Sequence, residues 1–207
     1  MNVESAAAAN LLGKEGFKRV VVARELGLEE IQKIKANTNV QLEMFVHGAL
    51  CVSESGLCMF SSFLGGKSAN RGMCAQACRR YYTAEYPEGI KQGYYFSPCD
   101  LQLIDHIPDL MELGIDSFKI EGRMKSAEYV GSVVAAYRYV IDHWKEDRKG
   151  AIVTGKRMLS SDFARIKTDY WYGFKPIEYG VKKMPAKKSL ILTRLAEPES
   201  ILGKSAR

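Results

Sequence analysis

The sequence predicts an α/β protein organised around a parallel β-sheet, and three observations carry the prediction. Short apolar runs that end in charge, FKRVVVARE, VQLEMFVHG and SFKIEGR, have the composition of buried parallel strands. Stretches of helical period alternate with them, and polar side chains collect where each strand stops. With 207 residues and 46% apolar composition, the chain can bury a core of its own.

Residues 3–16, VESAAAANLLGKEG, are alanine-rich with apolar positions at helical spacing, and Gly13 or Gly16 closes the helix. The strand in FKRVVVARE delivers Arg24 and Glu25 at its carboxyl end, and LGLEEIQKIKANT reads as an amphipathic helix. The next strand, VQLEMFVHG, delivers His47. Further on, YYFSPCDL suits a short strand or turn, and QLIDHIPDLMELG a helix interrupted or restarted near Pro108. SFKIEGR is the following strand, and a helix runs from about Ser126 to Trp144.

Beyond Gly150 the periodicity fades. The expected organisation is therefore a domain over residues 1–150 and a short, partly disordered extension over 151–207. In parallel sheets, sites form at the carboxyl ends of the strands, which puts Arg24, His47, Cys51 and Glu121 on one face. About three such strands are visible, whereas a complete eight-stranded barrel takes about 250 residues.

Four of the five cysteines, Cys51, Cys58, Cys74 and Cys78, fall between Glu43 and Arg80, and Cys99 follows. The amino terminus lacks a signal-peptide pattern and no run of about twenty apolar residues occurs, so a cytoplasmic protein without a membrane span is expected. In a reducing compartment, clustered thiols suggest a metal or redox site rather than a disulfide framework. Four thiolates satisfy either a tetrahedral zinc or a four-iron cluster. Zinc ribbons favour paired C-x2-C knuckles, which are absent, so the spacing favours iron and sulfur.

The formal charge is +6, with Lys67, Arg71, Arg79 and Arg80 inside the cysteine segment and four lysines between Lys182 and Lys188. Such patches attract polyanions, RNA among them. His47 at a strand end has the chemistry of an acid or base, and Glu121 and Arg123, with Lys119 and Lys125 nearby, suit a carboxylate or phosphate. Tyr81, Tyr82, Tyr94 and Tyr95 can be read as base-stacking groups or as alternating core and surface. Neither an H-E-x-x-H helix nor a Gly-x-Ser-x-Gly elbow is present, which leaves Cys51 with His47 as the one nucleophile and base pair imaginable for proteolysis.

Four blocks, RVVVAREL, E-x-F-V-H-G-A-L-C-V-S-x-S-G-x-C, S-A-N-R-G-x-C-A-Q-x-C-R and D-S-F-K-I-E-G-R-M-K-S, resemble the collagenase-like peptidase family of unassigned catalytic type from about Asn2 to Trp144. The resemblance implies a (β/α) TIM-type barrel, of which this chain supplies the later strands, so that Met1 falls inside the usual barrel. It also implies an iron-sulfur (4Fe-4S) protein of RNA base hydroxylation, acting on tRNA or ribosomal RNA, with a peptidase as the alternative and a non-catalytic barrel fragment as a third reading. The implied ligands are Cys51, Cys58, Cys74 and Cys99, with Cys78 as an alternative and zinc as the alternative metal. Gln102 stands where relatives often carry a further cysteine. From their position and chemistry, the candidate catalytic residues are His47 and Glu121, and the candidate substrate-binding residues are Arg24, Glu25, Arg71, Arg123 and Lys125. Unpaired strand edges in a partial barrel call for a second copy or a complementing half-barrel chain.

Overall fold

The computed structural model describes residues 3–122, 125–161 and 167–168. In chain order the elements are α1 (Ala6–Lys14), β1 (Arg19–Val21), α2 (Leu28–Ala36), β2 (Gln41–Ala49), α3 (Phe60–Gly65), β3 (Tyr82–Tyr86), β4 (Gly89–Gly93), β5 (Asp100–Gln102), α4 (Ile107–Glu112), β6 (Ser117–Ile120), α5 (Ala127–His143), α6 (Arg148–Met158) and β7 (Lys167–Thr168). They fall into two units. One holds the described residues up to Leu57 and from Cys99 onward, and the other holds Cys58–Pro98.

The first unit is built on β2, whose Leu42, Met44 and Val46 are buried in the core with Val20, Ile31, Ile34, Leu110, Val133 and Val140. Alternation along the strand sends Glu43 and Phe45 to the opposite face. Both β1 and β6 run parallel to β2, with Val21 and Ser117 each paired to Glu43, so they lie on its two edges. β5 is antiparallel to β2 and pairs at His47, Gly48 and Ala49. His47 is paired to Ile120 as well as Gln102, which puts β5 on the β1 edge.

Local chemistry accounts for the helices. Ser5 caps α1 by accepting the Ala8 N–H (3.2 Å), and the Glu30 carboxylate accepts the Gly27 N–H (2.7 Å) at the start of α2. Ser126 caps α5 through the Tyr129 N–H, and Asp147 caps α6 through the Gly150 N–H. Among the described residues, no helix is long and apolar enough to cross a membrane.

Two features depart from the expected pattern. Helix α6 crosses residue 150, the expected boundary, and packs on α5. Gly155 permits the contact, because a Cβ there would lie 2.5 Å from Val140 Cγ2 and 2.9 Å from Ile104 Cδ1. The cysteine-rich unit contains an antiparallel hairpin, β3 with β4, paired from Tyr82↔Gly93 to Tyr86↔Gly89. The aromatic segment 170–180, the basic stretch near the end and Arg123 lie outside the described residues.

Candidate functional site

The register of β2 against β6 shifts between Phe45 and His47, so the strand carries a bulge there. Strict alternation would put His47 on the face of Glu43 and Phe45. Instead its ring meets two tyrosines of α5, Tyr137 (centroids 5.5 Å apart, edge to face) and Tyr129 (6.2 Å). The Tyr137 hydroxyl donates to the Val46 carbonyl oxygen at 2.8 Å. Its single hydrogen being so used, the oxygen accepts from His47 Nδ1 at 3.2 Å, and Nδ1 carries the ring proton. At 1% exposure, His47 is a buried side chain rather than one held at a strand mouth.

Glu121 follows β6, and its backbone N–H donates to the His47 carbonyl oxygen at 2.8 Å. Lys125 places its ammonium 4.7 Å from the centre of the Tyr129 ring. His47, Glu121 and Lys125 thus share one neighbourhood, tied together by Tyr129 and Tyr137. No local motif marks those tyrosines. With Val133 they stand four residues apart on α5, a spacing that reads simply as an apolar stripe.

The opposite face of the sheet collects charge. The Glu43 carboxylate accepts from Ser117 Oγ (2.9 Å) and lies 3.3 Å from Lys119 Nζ and 3.8 Å from Arg19. The Phe45 ring is approached by Arg24 at 5.2 Å and Lys119 at 5.3 Å. Glu25 acts structurally. Its Oε1 accepts the Ser55 N–H at 2.6 Å and so anchors the loop that carries Cys51, while Oε2 is enclosed without a hydrogen-bond partner among the described residues.

In the second unit, the Asn70 side chain brackets Cys58 by accepting its N–H (3.0 Å) and donating to its carbonyl oxygen (3.1 Å). Cys74 Sγ accepts the Gln76 N–H at 3.3 Å, in a turn where Gln76 takes the left-handed conformation at φ +51°. Buried Ser61 receives the Ala75 N–H. Arg79 is committed to Ser97 Oγ and the Pro98 carbonyl oxygen. Arg71 is exposed on a short 3-10 turn, Ala69–Arg71. Tyr82 packs with Phe60 and Phe96 and donates its hydroxyl to the Ala77 carbonyl oxygen (2.7 Å); burial pushes its pKa above the ordinary tyrosine value.

All five thiols are free of disulfides. Cys51 and Cys74 are exposed, Cys58 and Cys78 half-buried, and Cys99 buried. Cys51 and Cys99 belong to the first unit, and Cys58, Cys74 and Cys78 to the second. The donor chemistry suits an iron-sulfur cluster or zinc, but among the described residues no three His, Cys, Asp or Glu side chains are gathered as a ligand set. No chemical step is therefore derived through a cluster.

The described residues thus combine a parallel strand end that carries His47 with a separate cysteine-rich unit, and the four sequence blocks run through both. The chain belongs to peptidase family U32, whose model matches residues 1–179. Over 149 residues it is 41% identical to tRNA hydroxylation protein P1 of Bacillus subtilis, covering 68% of this chain and 35% of that one. It is 40% identical over 150 residues to the 23S rRNA 5-hydroxycytidine C2501 synthase of Escherichia coli, covering 71% of this chain and 23% of the other. A collagenase of Porphyromonas gingivalis is 40% identical over 139 residues, covering 59% of this chain and 34% of that protein. The chain thus spans 23% to 35% of the length of these curated relatives. No solved structure matches it.

Proposed function

We propose that this chain serves RNA base hydroxylation of the kind named for its relatives, with tRNA or ribosomal RNA as substrate. The observation that carries this reading is its identity of 40% or more to two RNA hydroxylation proteins within family U32. The charge distribution supports it: Cys58–Pro98 holds five basic side chains against two acidic ones, a net +3 of the chain's +6.

In this reading the strands β1, β2 and β6 with their helices form part of a (β/α) barrel. His47, held against Tyr137, is the acid or base of this reading, and Glu121 and Lys125 orient the substrate beside it. Cys51, Cys58, Cys74 and Cys99, or Cys78 in place of one of them, would be the residues to hold a 4Fe-4S cluster, which would supply one-electron chemistry when bound. Dense thiols of mixed loop spacing support that assignment.

The test is anaerobic co-expression with RNA, followed by nucleoside mass spectrometry and iron and sulfide analysis. Hydroxylated pyrimidine nucleosides should rise with the wild-type chain and fall back with Cys51→Ser, and the protein should carry about four irons per chain. Unchanged nucleosides, together with cleavage of denatured collagen, would replace this reading by the peptidase named for the Porphyromonas gingivalis relative.

A further inference from the structure

Tyr81 and Tyr94 sit just outside the last registered pair of the hairpin, Tyr82↔Gly93, and therefore face each other across its open end. Their ring centroids are 5.1 Å apart at an interplanar angle of 76°, so the pair is an edge-to-face contact that leaves ring faces open. Tyr81 is 57% exposed and Tyr94 56%. Alternation along β3 turns the next residue, Tyr82, to the other side, where it joins Phe60 and Phe96 in the interior of the unit. The inner trio supplies the packing of this unit, and the outer pair keeps two large rings in water.

A cation adjoins that pair: Arg80, exposed, directly precedes Tyr81. Open aromatic faces beside a cation, in a unit of net charge +3, are the two components with which proteins hold single-stranded nucleic acid: rings stack on unpaired bases and cations follow the phosphates. We propose that Tyr81 and Tyr94 form a stacking platform for an unpaired RNA base, with Arg80 on the adjoining phosphate. The assignment rests on the RNA reading above and adds residues to it that neither the family nor the relatives' names specify.

The experiment titrates the full chain against a fluorescein-labelled oligouridine of about twelve nucleotides, within the site size of single-strand binders, at several salt concentrations. Tyr81→Ala and Tyr94→Ala should each weaken binding about tenfold, Tyr81→Phe should restore it, and none should change the salt slope, because the rings carry no charge. Arg80→Gln should lower that slope by about one phosphate contact. An oligonucleotide with a central 2-aminopurine should be quenched by the wild-type chain and not by the alanine variants. Should those variants fail to fold, the quench on the wild type and on Tyr81→Phe decides the matter.

If the wild type binds no RNA, the functional reading falls together with the platform. If it binds but the alanine variants bind equally and nothing is quenched, the platform alone is wrong. If the alanine variants instead change the sedimentation of the protein and leave RNA binding intact, the pair is a contact between copies and the proposal is overturned.

Discussion

Gly48 and Glu121 are in such close approach that a Cβ on Gly48 would lie 2.7 Å from Glu121 Cβ and 2.9 Å from its carbonyl oxygen. Gly48 also has φ +116°, a region that other residues enter only under strain. The two facts have one cause, since β2 and the chain leaving β6 converge where Glu121 N–H reaches the His47 carbonyl oxygen. Gly48→Ala should therefore destabilise the protein by about 3 kcal/mol, combining backbone strain with displacement of Glu121. Urea unfolding measures it, and a loss below about 0.5 kcal/mol would show that the strand end adapts freely.

Tyr137→Phe removes one oxygen and leaves its two partners unequal. The Val46 carbonyl oxygen keeps a second donor, the Leu103 N–H at 2.9 Å, whereas His47 Nδ1 loses the hydroxyl oxygen that accepts its proton. The expected cost is about 1 to 2 kcal/mol, dominated by the buried imidazole. Nitrogen chemical shifts of His47 should move away from the Nδ1–H tautomer in the variant. Unchanged shifts would mean that other contacts fix the ring.

Much of the first unit is legible in the sequence because its strands and helices declare themselves by local period, as in Val20, Leu42 and Ile31. The bulge at β2 is not, because register depends on β6, about seventy residues away, and no local pattern reports it. That shift is what turns His47 from an expected strand-mouth group into a buried partner of Tyr137. The antiparallel course of β5 is hidden for the same reason. Helix α6 escapes notice because RKGAIVTGKRM carries two glycines and little apolar surface; packing of Ala151 and Gly155 on α5 stabilises it, not propensity. The hairpin is obscured by the motif density around it, though Pro87, Glu88 and Gly89 mark its turn.

Asp116 gives a pH-dependent prediction. Burial alone would raise its pKa, but the Lys35 ammonium at 2.7 Å and the Leu42 N–H at 2.8 Å outweigh it and hold the carboxyl below the ordinary aspartate value. A carboxyl more acidic in the folded than in the unfolded state contributes stability that is complete above the unfolded value, about 3.9, and lost as pH falls through the lower folded one. Asp116→Asn should thus cost about 1 kcal/mol near pH 7, both partners being largely but not wholly enclosed, and the two unfolding curves should converge in acid. A gap independent of pH would assign the loss to packing.

Asn70→Asp tests how Cys58 is positioned. The wild-type amide accepts the Cys58 N–H with one atom and donates to its carbonyl oxygen with the other, so a carboxylate keeps the first bond and sets two oxygens against each other in the second. The loop should loosen locally rather than unfold, because this bond pair is exposed and the Phe60, Tyr82 and Phe96 packing is untouched. Cys58 should then alkylate with iodoacetamide several-fold faster than in the wild type, read by peptide mass spectrometry, while the buried Cys99 stays protected. Iron retained after anaerobic purification should fall in the same variant if Cys58 is a ligand. Faster alkylation with undiminished iron would keep the positional role of Asn70 and remove Cys58 from the ligand set, leaving Cys78 to take its place.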